Sequence, residues 1–427
     1  VQALIRRYVA ECCGLTPDDL GVGVDGCGVP VFRAPLRAVA RGFASFAWPE
    51  GNPALSRERI AAIRTLIRGC LENPEMVAGD ERICTEVMRA APGRVIAKTG
   101  AEASYGLSVI DAGVGYVDVC DDLDATTAML ELDGIARAAG VPALVGMGNS
   151  PGLANLFVKL SAEWFLDEVW SAEIMHIHGG EPDEGPAVLK HRIHAMTDDV
   201  PLFVDGELVE VRMLEESGAA FVHEEDFAGV GTYPVFPYPH PETITLPMVF
   251  PSLRRATNLG VVYPLSYFEM TQNLVRAGMA SEEPVVAAGA SVAPIDVMVA
   301  LLRRERPRLL AEAGVTEPGG CLKVVVSGQK DGGEHTYVFS LSSAGAGAGE
   351  GTGIPAAIGA VLALRGQLDG GPGVHPPEAV VPVEPMLDLA GQIVAGLGVS
   401  GDGVPLTVEH VGPGGAVEEI PFSLGKP

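Results

Sequence analysis

The sequence predicts a chain that is both α/β and α+β, with a mainly helical first segment, a βαβ unit and then a strand-rich region. Three observations carry this. Apolar residues recur at three- and four-residue steps through residues 1–109, a short strand, helix, strand and helix follow from Tyr116, and Lys323–Ser327 and His335–Leu341 alternate in period two around a Gly-rich turn. At 427 residues, two or three domains are expected. Hydrophobic residues at 47% and charged residues at 20% exclude disorder throughout.

In the first segment Ala3, Leu4, Tyr8 and Val9 form one helical stripe, and Leu36, Val39, Ala40 and Phe43 form another after Pro35. Ser56 is a plausible N-cap for Ile60, Ile63, Leu66, Ile67 and Leu71, and Arg94–Lys98 reads as a short strand. Tyr116–Cys120 is then a strand, Ala125–Ala139 a helix ended by Gly140, and Val141–Met147 a strand. Pro151 opens a further helix, and these lengths make a βαβ unit with a parallel sheet. Trp170–Leu253 alternates strands with turns, the pair around Gly328–Gly333 is a β-hairpin, and Ile354–Leu368 is a helix.

Twenty-nine basic and 55 acidic residues give a net charge of −26, which disfavours phosphate backbones and anionic lipid and suits cationic or zwitterionic partners. The excess is not evenly spread. Residues 1–109 carry 13 basic and 12 acidic residues, so the whole surplus lies beyond them, which points to a joint near 109–110. The most apolar long stretch, Val285–Leu302, holds Ser291, Pro294 and Asp296 and does not read as a membrane span. No basic start followed by an apolar core marks a secretory signal, and seven irregularly spaced cysteines do not make a disulfide framework. A reducing, cytoplasmic setting is expected.

Two glycine triplets match G-x-G-x-x-G: Gly21, Gly23, Gly26 and Gly396, Gly398, Gly401. A dinucleotide turn needs a strand before the glycines and a helix starting within them. Gly28, Pro30 and Pro35 follow the first triplet and a helix precedes the second, so neither is expected to hold a pyrophosphate.

Two groups of residues carry chemistry. In the first, Cys27 follows a Gly-rich turn and Lys98 ends a strand before Gly100; a lysine near a thiol lowers its pKa, and a desolvated lysine can act as a base. A small buried cysteine and a solvated lysine are the plainer alternative. The blocks V-D-G-C-G-V-P-V-F, P-L-R-A-V-A-R-G-F-A, I-C-T-E-V-M-R and G-R-V-I-A-K-T-G-A-E resemble the second half of the Rhizobium-type L-asparaginases, the asparaginase II family. That resemblance implies a partial β-lactamase-like fold, amide hydrolysis by serine–lysine pairs and a zinc ion, with Cys27 at a zinc-ligand position and Lys98 as the lysine of a pair. The family's serines and other metal ligands have no counterpart in these blocks, which leaves the ligand set incomplete.

In the second group, Asp121 and Asp122 stand just past a strand's carboxyl end, and Asn149, Ser150, Pro151 and Gly152 stand past the next strand at a helix start. Ligands of open α/β sheets bind there, and free amides at a helix start suit an anionic or carbonyl group. Capping by Asp122 or Asp124 and by Ser150 is the alternative. The blocks D-A-G-V-G-Y-V-D-V-C-D-D, A-R-A-A-G-V-P-A-L-V-G-M-G-N-S-P-G-L-A-N-L, H-P-E-T-I-T-L-P, G-T-G-I-P-A-A-I-G-A and G-V-H-P-P-E-A-V resemble the saccharopine dehydrogenase family over about residues 110–389. That resemblance implies a partial Rossmann unit carrying NAD(P), and an α+β domain that holds an amino-acid substrate and mediates a homodimer. The reaction implied is oxidoreduction of a C–N bond. The first strand of the Rossmann unit, its Gly-rich turn and its ribose-binding acid should precede Ile110, where asparaginase-like sequence stands instead.

His240 and Glu242 flank Pro241 in a Pro-rich stretch; as i and i+2 of an extended chain they share a face and could bind a substrate or relay a proton. Thr352 and Gly353 could cradle a carboxylate at the start of the Ile354 helix. The expected catalytic set is therefore Lys98, Asp122 and His240, with the cofactor at Asp121, Asp122, Asn149 and Ser150. Substrate is expected at Ser150, Pro151, Gly152, His240, Glu242, Thr352 and Gly353. His176, His178, His191 and His194 cluster without the Cys or carboxylate partners a metal site wants. The expected domains are 1–109, 110–149, 150–365 and a return segment 366–427. Three functions follow: an oxidoreductase impaired by the missing Gly-rich turn, an incomplete amidohydrolase, or a catalytically silent chain with an intact dimerisation domain.

Overall fold

A computed structural model describes residues 2–24, 30–80, 82–90, 92–99, 105–109, 116–344, 348–396 and 406–421. The expected helices of the first segment form at Gln2–Cys13, Leu36–Ala47 and Arg57–Glu72. Ser56 caps the third, its hydroxyl accepting from the Arg59 amide at 3.2 Å. Ile83–Ala90 follows, and then an antiparallel pair, Val95–Thr99 with Tyr105–Val109, which contains the expected strand. Gly21 and Gly23 sit in a strand, Gly21–Val24, paired antiparallel with Pro30–Arg33, and the next helix starts only at Leu36.

Three parallel strands lie in the order Gly373–His375, Pro142–Leu144, Tyr116–Val117. The βαβ unit thus gains a neighbour from the return segment, while Tyr116–Val117 is the other edge of the described sheet. Its expected single helix is two, Leu123–Leu130 and Asp133–Ala139, separated by a turn at Glu131 and Leu132. Gly140 ends the second in the left-handed conformation, φ 69°. Asp118 ties the unit together: its Oδ1 accepts from the Cys120 amide at 2.9 Å and the Gly146 amide at 2.7 Å.

The strand-rich region builds a ten-stranded sheet. Its spine runs Gly231–Pro237, Arg255–Tyr263, Glu168–Gly179, Gly319–Lys330, Gly333–Ala344, Leu406–Val411. Arg255–Tyr263 and Glu168–Gly179 are parallel, and the remaining pairs are antiparallel. The expected hairpin is longer and tighter than its sequence suggests. Lys330 pairs with Gly333, and Asp331 and Gly332 both have positive φ, 50° and 80°, which is the two-residue turn that matches strand twist. The region also holds a helix that strand-and-turn reading misses, Pro186–Ala195, opened by a proline at its first position.

Period two places different cores on the two faces of this sheet. Ala172, Ile174, Leu322 and Val324 pack on one side with Leu156 and Ile358. Met175, Ile177 and Cys321 pack on the other with Ile193, Phe268 and Leu302. Helix Ala348–Leu364 is apolar on all sides and is used on two of them. Ile358 and Leu362 face the sheet core, whereas Ala357 and Leu364 enter the core of the first segment beside Ile67, Met88 and Val95. Arg94 adds a hydrogen bond to the Leu364 carbonyl at 3.1 Å. Among the described residues no helix is long and apolar enough to cross a membrane.

This shared core makes an expectation for Met88, which is almost fully buried. Met88→Ala should cost about 2–5 kcal/mol in urea unfolding and lower hydrogen-exchange protection across residues 354–364. Unchanged protection there would mean that the first segment and the helix do not share a core.

Candidate functional site

The site forms where apolar alternation on one sheet face gives way to polar side chains. Along Glu168–Gly179 that face reads Ala172, Ile174, His176, His178; along the parallel neighbour it reads Ala256, Asn258, Gly260. The change lies toward the carboxyl ends of the two parallel strands. A Cβ at Gly260 would overlap the His176 ring, so this glycine makes room for the imidazole. Asn258 is 0% exposed, and its Oδ1 lies 3.1 Å from His176 Nε2.

The turn 149–152 is placed over this layer. Ser150–Pro151 is cis, and Gly152 has φ 127°, with a Cβ there overlapping the Gly148 backbone; only glycine fits. The helix amides that follow are already used. The Gly152 amide donates to Asn155 Oδ1 at 2.8 Å, that of Leu153 to the Gly148 carbonyl at 2.9 Å, and that of Ala154 to the Asn149 carbonyl at 3.0 Å. The expectation of free amides for an anion is thus corrected: the turn folds back and satisfies them.

His240 and Glu242 complete the site. The Tyr238 amide donates to the Asn258 carbonyl at 3.0 Å, which fixes the approach of this segment. Glu242 opens helix Glu242–Val249 and Pro241 is already helical, so the pair meets through a turn and not through the strand alternation expected. Glu242 is 0% exposed. Its Oε1 accepts from the Ser150 hydroxyl and from Asn258 Nδ2 at 3.4 Å; Asn258 Nδ2 also donates to Ser150 Oγ at 3.2 Å. His240 Nδ1 lies 3.4 Å from both Ser150 Oγ and Glu242 Oε2. The second contact is an ion pair outside hydrogen-bond geometry, and Glu242 Oε2 and Asn149 Oδ1 are both buried without a hydrogen-bond partner.

Burial pushes the His240 imidazolium toward losing its proton, but the Glu242 carboxylate, with Asp121 behind it, outweighs burial and raises its pKa. The ring beside it, His176, is driven the other way: burial and then the positive charge of His240 hold its pKa well below the ordinary value. Burial, and then Arg192, bring His178 down to about 4. Behind His178 a closed ionic group anchors the layer. Arg192 grips Glu184 at 2.6 and 2.9 Å, and Arg306 and Tyr267 reach the same carboxylate at 2.9 Å each. Burial raises the Glu184 pKa, but the two guanidinium groups outweigh it and bring it to about 2.

A second buried carboxylate lies nearby. Glu378 Oε2 accepts from Asn155 Nδ2 at 3.0 Å, its Oε1 has no hydrogen-bond partner, and burial raises its pKa to about 7. Asn258, Asn155 and Glu378 escape sequence reasoning, and His176 enters it only as one of a histidine cluster. Their one signal is a polar residue inside an apolar or proline-bound run, T-N-L-G-V-V for Asn258 and H-P-P-E-A-V for Glu378.

The other expected residues fall as follows. Asp122 caps helix Leu123–Leu130, accepting from the Ala125 amide at 2.8 Å, so its oxygen serves the helix. Asp121 is exposed, 3.9 Å from His191 Nε2. Pro151 and Gly152 are buried in the turn. Thr352 and Gly353 are the fifth and sixth residues of a helix that begins at Ala348, so their amides bond within the helix and cannot cradle a carboxylate. Thr352 Cγ2 would stand 3.3 Å from a Cβ on Gly148, which places its methyl group against the turn. Lys98 is exposed in its hairpin, and Cys27 lies outside the described residues.

A dinucleotide would need free backbone amides for its pyrophosphate, and a metal would need converging ligands. Gly21 and Gly23 lie in an antiparallel pair, Gly396 closes a helix, and the amides at the Leu153 helix start are taken. Gly26, Gly398 and Gly401 lie outside the described residues. The described residues therefore do not fit the pyrophosphate of NAD(P). Among them, no group of three or more His, Cys, Asp or Glu is placed to hold a metal ion, and zinc has no support. The four histidines do not converge on one point: the His176 and His178 rings stack 6.4 Å apart, His176 bonds Asn258, His191 lies by Asp121, and His194 faces Glu282 at 3.4 Å.

Comparison with known proteins finds two kinds of relative. Residues 1–132 match the family model of L-asparaginase II. The chain is 25% identical over 276 residues to carboxyaminopropylagmatine dehydrogenase of Synechocystis sp., covering 60% of this chain and 67% of that protein. It is 27% identical over 282 residues to carboxynorspermidine synthase of Vibrio cholerae, covering 61% and 63%, and 24% identical over 257 residues to that of Vibrio alginolyticus, covering 54% and 56%. The chain thus spans between 56% and 67% of the length of these relatives. Among solved structures it is similar to apo saccharopine dehydrogenase (L-Glu forming) from Saccharomyces cerevisiae, with TM-score 0.44, 15% identity, and coverage of 66% and 76%. The resemblance to L-asparaginase II read from the motifs is found, over residues 1–132.

Glu378 yields a pH expectation. A carboxyl whose pKa is raised to about 7 in the folded chain binds a proton that the unfolded chain releases near its ordinary value of 4.5. Its contribution to stability is then full below pH 4.5 and lost as pH rises to about 7. Glu378→Gln should remove that slope and raise stability at pH 8 by about 3 kcal/mol, read by urea unfolding across pH. An unchanged slope would show that Glu378 is ionised in the folded chain.

Proposed function

We propose that this chain binds the substrate and handles the proton of a saccharopine dehydrogenase-like oxidoreductase acting on the C–N bond of an amino-acid-derived amine. The observation that carries the reading is two buried acceptors without a hydrogen-bond partner, Asn149 Oδ1 in the turn and Glu242 Oε2, the latter 3.4 Å from the Nδ1 of a histidine whose pKa is raised. Unpaired buried acceptors call for a ligand N–H. An ammonium or secondary amine supplies one, and the acidic surface favours its approach. The relatives' names, carboxyaminopropylagmatine dehydrogenase and carboxynorspermidine synthase, support an amine that also bears a carboxylate.

His240 is the group that holds or moves a proton at the substrate nitrogen. Its Nδ1 is engaged by Ser150 and Glu242, which leaves Nε2 for that task. Since the described residues do not fit the pyrophosphate, no hydride step is assigned to this chain, and the impairment expected from the missing Gly-rich turn stands as part of the proposal. A homodimer through the ten-stranded region belongs to the same reading. The amidohydrolase alternative has less support, because exposed Lys98 lacks the burial that activates a lysine.

Calorimetry with carboxynorspermidine and with NADPH tests this reading. The amine should bind in the micromolar range, and His240→Asn should weaken it at least about tenfold, or ~1.4 kcal/mol. NADPH alone should give no melting shift, and no oxidation of it should be seen with imine present. Amine binding that is absent, or hydride transfer by the chain alone, would contradict the proposal.

A further inference from the structure

The layer beneath His240 has a direction that its hydrogen bonds dictate. Ser150 has one proton, and it goes to Glu242 Oε1. At the 3.4 Å contact between Ser150 Oγ and His240 Nδ1 the hydroxyl is therefore the acceptor, and the proton belongs to Nδ1. Asn258 Nδ2 faces both Ser150 Oγ and Glu242 Oε1. The reverse amide orientation would set a carbonyl oxygen against a carboxylate in a fully buried position, which costs more than a lost hydrogen bond. The amide orientation in turn requires a donor at its other end, and His176 Nε2, 3.1 Å from Oδ1, is the atom there. His176 has no other described hydrogen-bond partner, its ring lies over Gly260, and the Tyr238 and His240 rings stand 5.4 and 5.3 Å from it.

We infer that His176 and Asn258 are positioning residues: a His176 Nε2–H sets the Asn258 amide, the amide sets Ser150 and Glu242, and these keep the His240 proton on Nδ1. The chain of donors runs one way, from His176 through Asn258 and Ser150 to the Glu242 carboxylate. Its product is a His240 ring whose Nε2 is the lone acceptor when neutral and a second donor when charged. Only the meeting of that Nε2 with a substrate nitrogen rests on the proposed function; the ordering of the protons does not.

Nitrogen-15 NMR of the imidazoles in the full chain, without substrate, tests this. The wild type should show His176 protonated on Nε2 and neutral His240 protonated on Nδ1. In Asn258→Leu and in His176→Phe, the neutral His240 should become a mixture of both tautomers. His176→Gln, which restores an N–H donor toward Asn258, should return the wild-type pattern. A wild-type His176 protonated on Nδ1 would overturn the inference even if every variant failed to fold. So would a His240 that keeps a single Nδ1–H tautomer in a folded Asn258→Leu. Because no substrate is present, failure of amine binding in calorimetry leaves these spectra, and the positioning role they test, unaffected.

Discussion

A carboxylate with no exposed surface is the constraint around which this structure is arranged. Placing Glu242 out of water costs several kcal/mol unless donors surround it. Two donors come from distant parts of the chain, Ser150 from the turn after Pro142–Leu144 and Asn258 from the large sheet, and His240, two residues away, adds an ion pair at 3.4 Å. Satisfying one buried group therefore docks the parallel three-stranded unit onto the ten-stranded sheet. It also leaves Glu242 Oε2 without a hydrogen bond, 3.4 Å from the His240 ring.

Packing explains why an asparaginase-like segment can precede such a site. Helix Ala348–Leu364 has no polar face, so a core on one side alone would leave apolar surface in water. The first segment covers the second side through Ile67, Met88 and Val95, and its near-neutral charge lets it approach a strongly acidic remainder without added repulsion. In this arrangement the segment contributes burial. Gly21 and Gly23 lie in an antiparallel ribbon and Lys98 is exposed, so among the described residues of the segment these candidates take no part in the chemistry around Glu242.

How far the sequence could be read follows from which forces act locally. Ser56 and Gly140 mark helix ends through bonds to residues three or four away, so their roles are visible in a short window. The hairpin 319–344 is likewise local, and only its turn residues, Asp331 and Gly332, were hidden by the neighbouring glycines. Ser150, His240 and Glu242 stood out by residue type and by family resemblance, yet the geometry that joins them spans about ninety residues and no spacing encodes it. Asn258 and His176 lie in apolar strands whose faces become polar only at one end, a feature that appears once the register of the two parallel strands is known. Thr352 lies inside its helix and not at the start, because the helix begins six residues before its apolar run, within glycines that carry no helical signal.

The most direct test is a double-mutant cycle on Ser150→Ala and Glu242→Gln, measured by urea unfolding at pH 7. If the buried carboxylate holds the two units together through this hydroxyl, the losses should fall short of additivity by about 1.5–3 kcal/mol, the range for hydrogen bonds to charged groups. Losses that add to within about 0.3 kcal/mol would mean that Ser150 and Glu242 are merely neighbours, and the account built on them would fail.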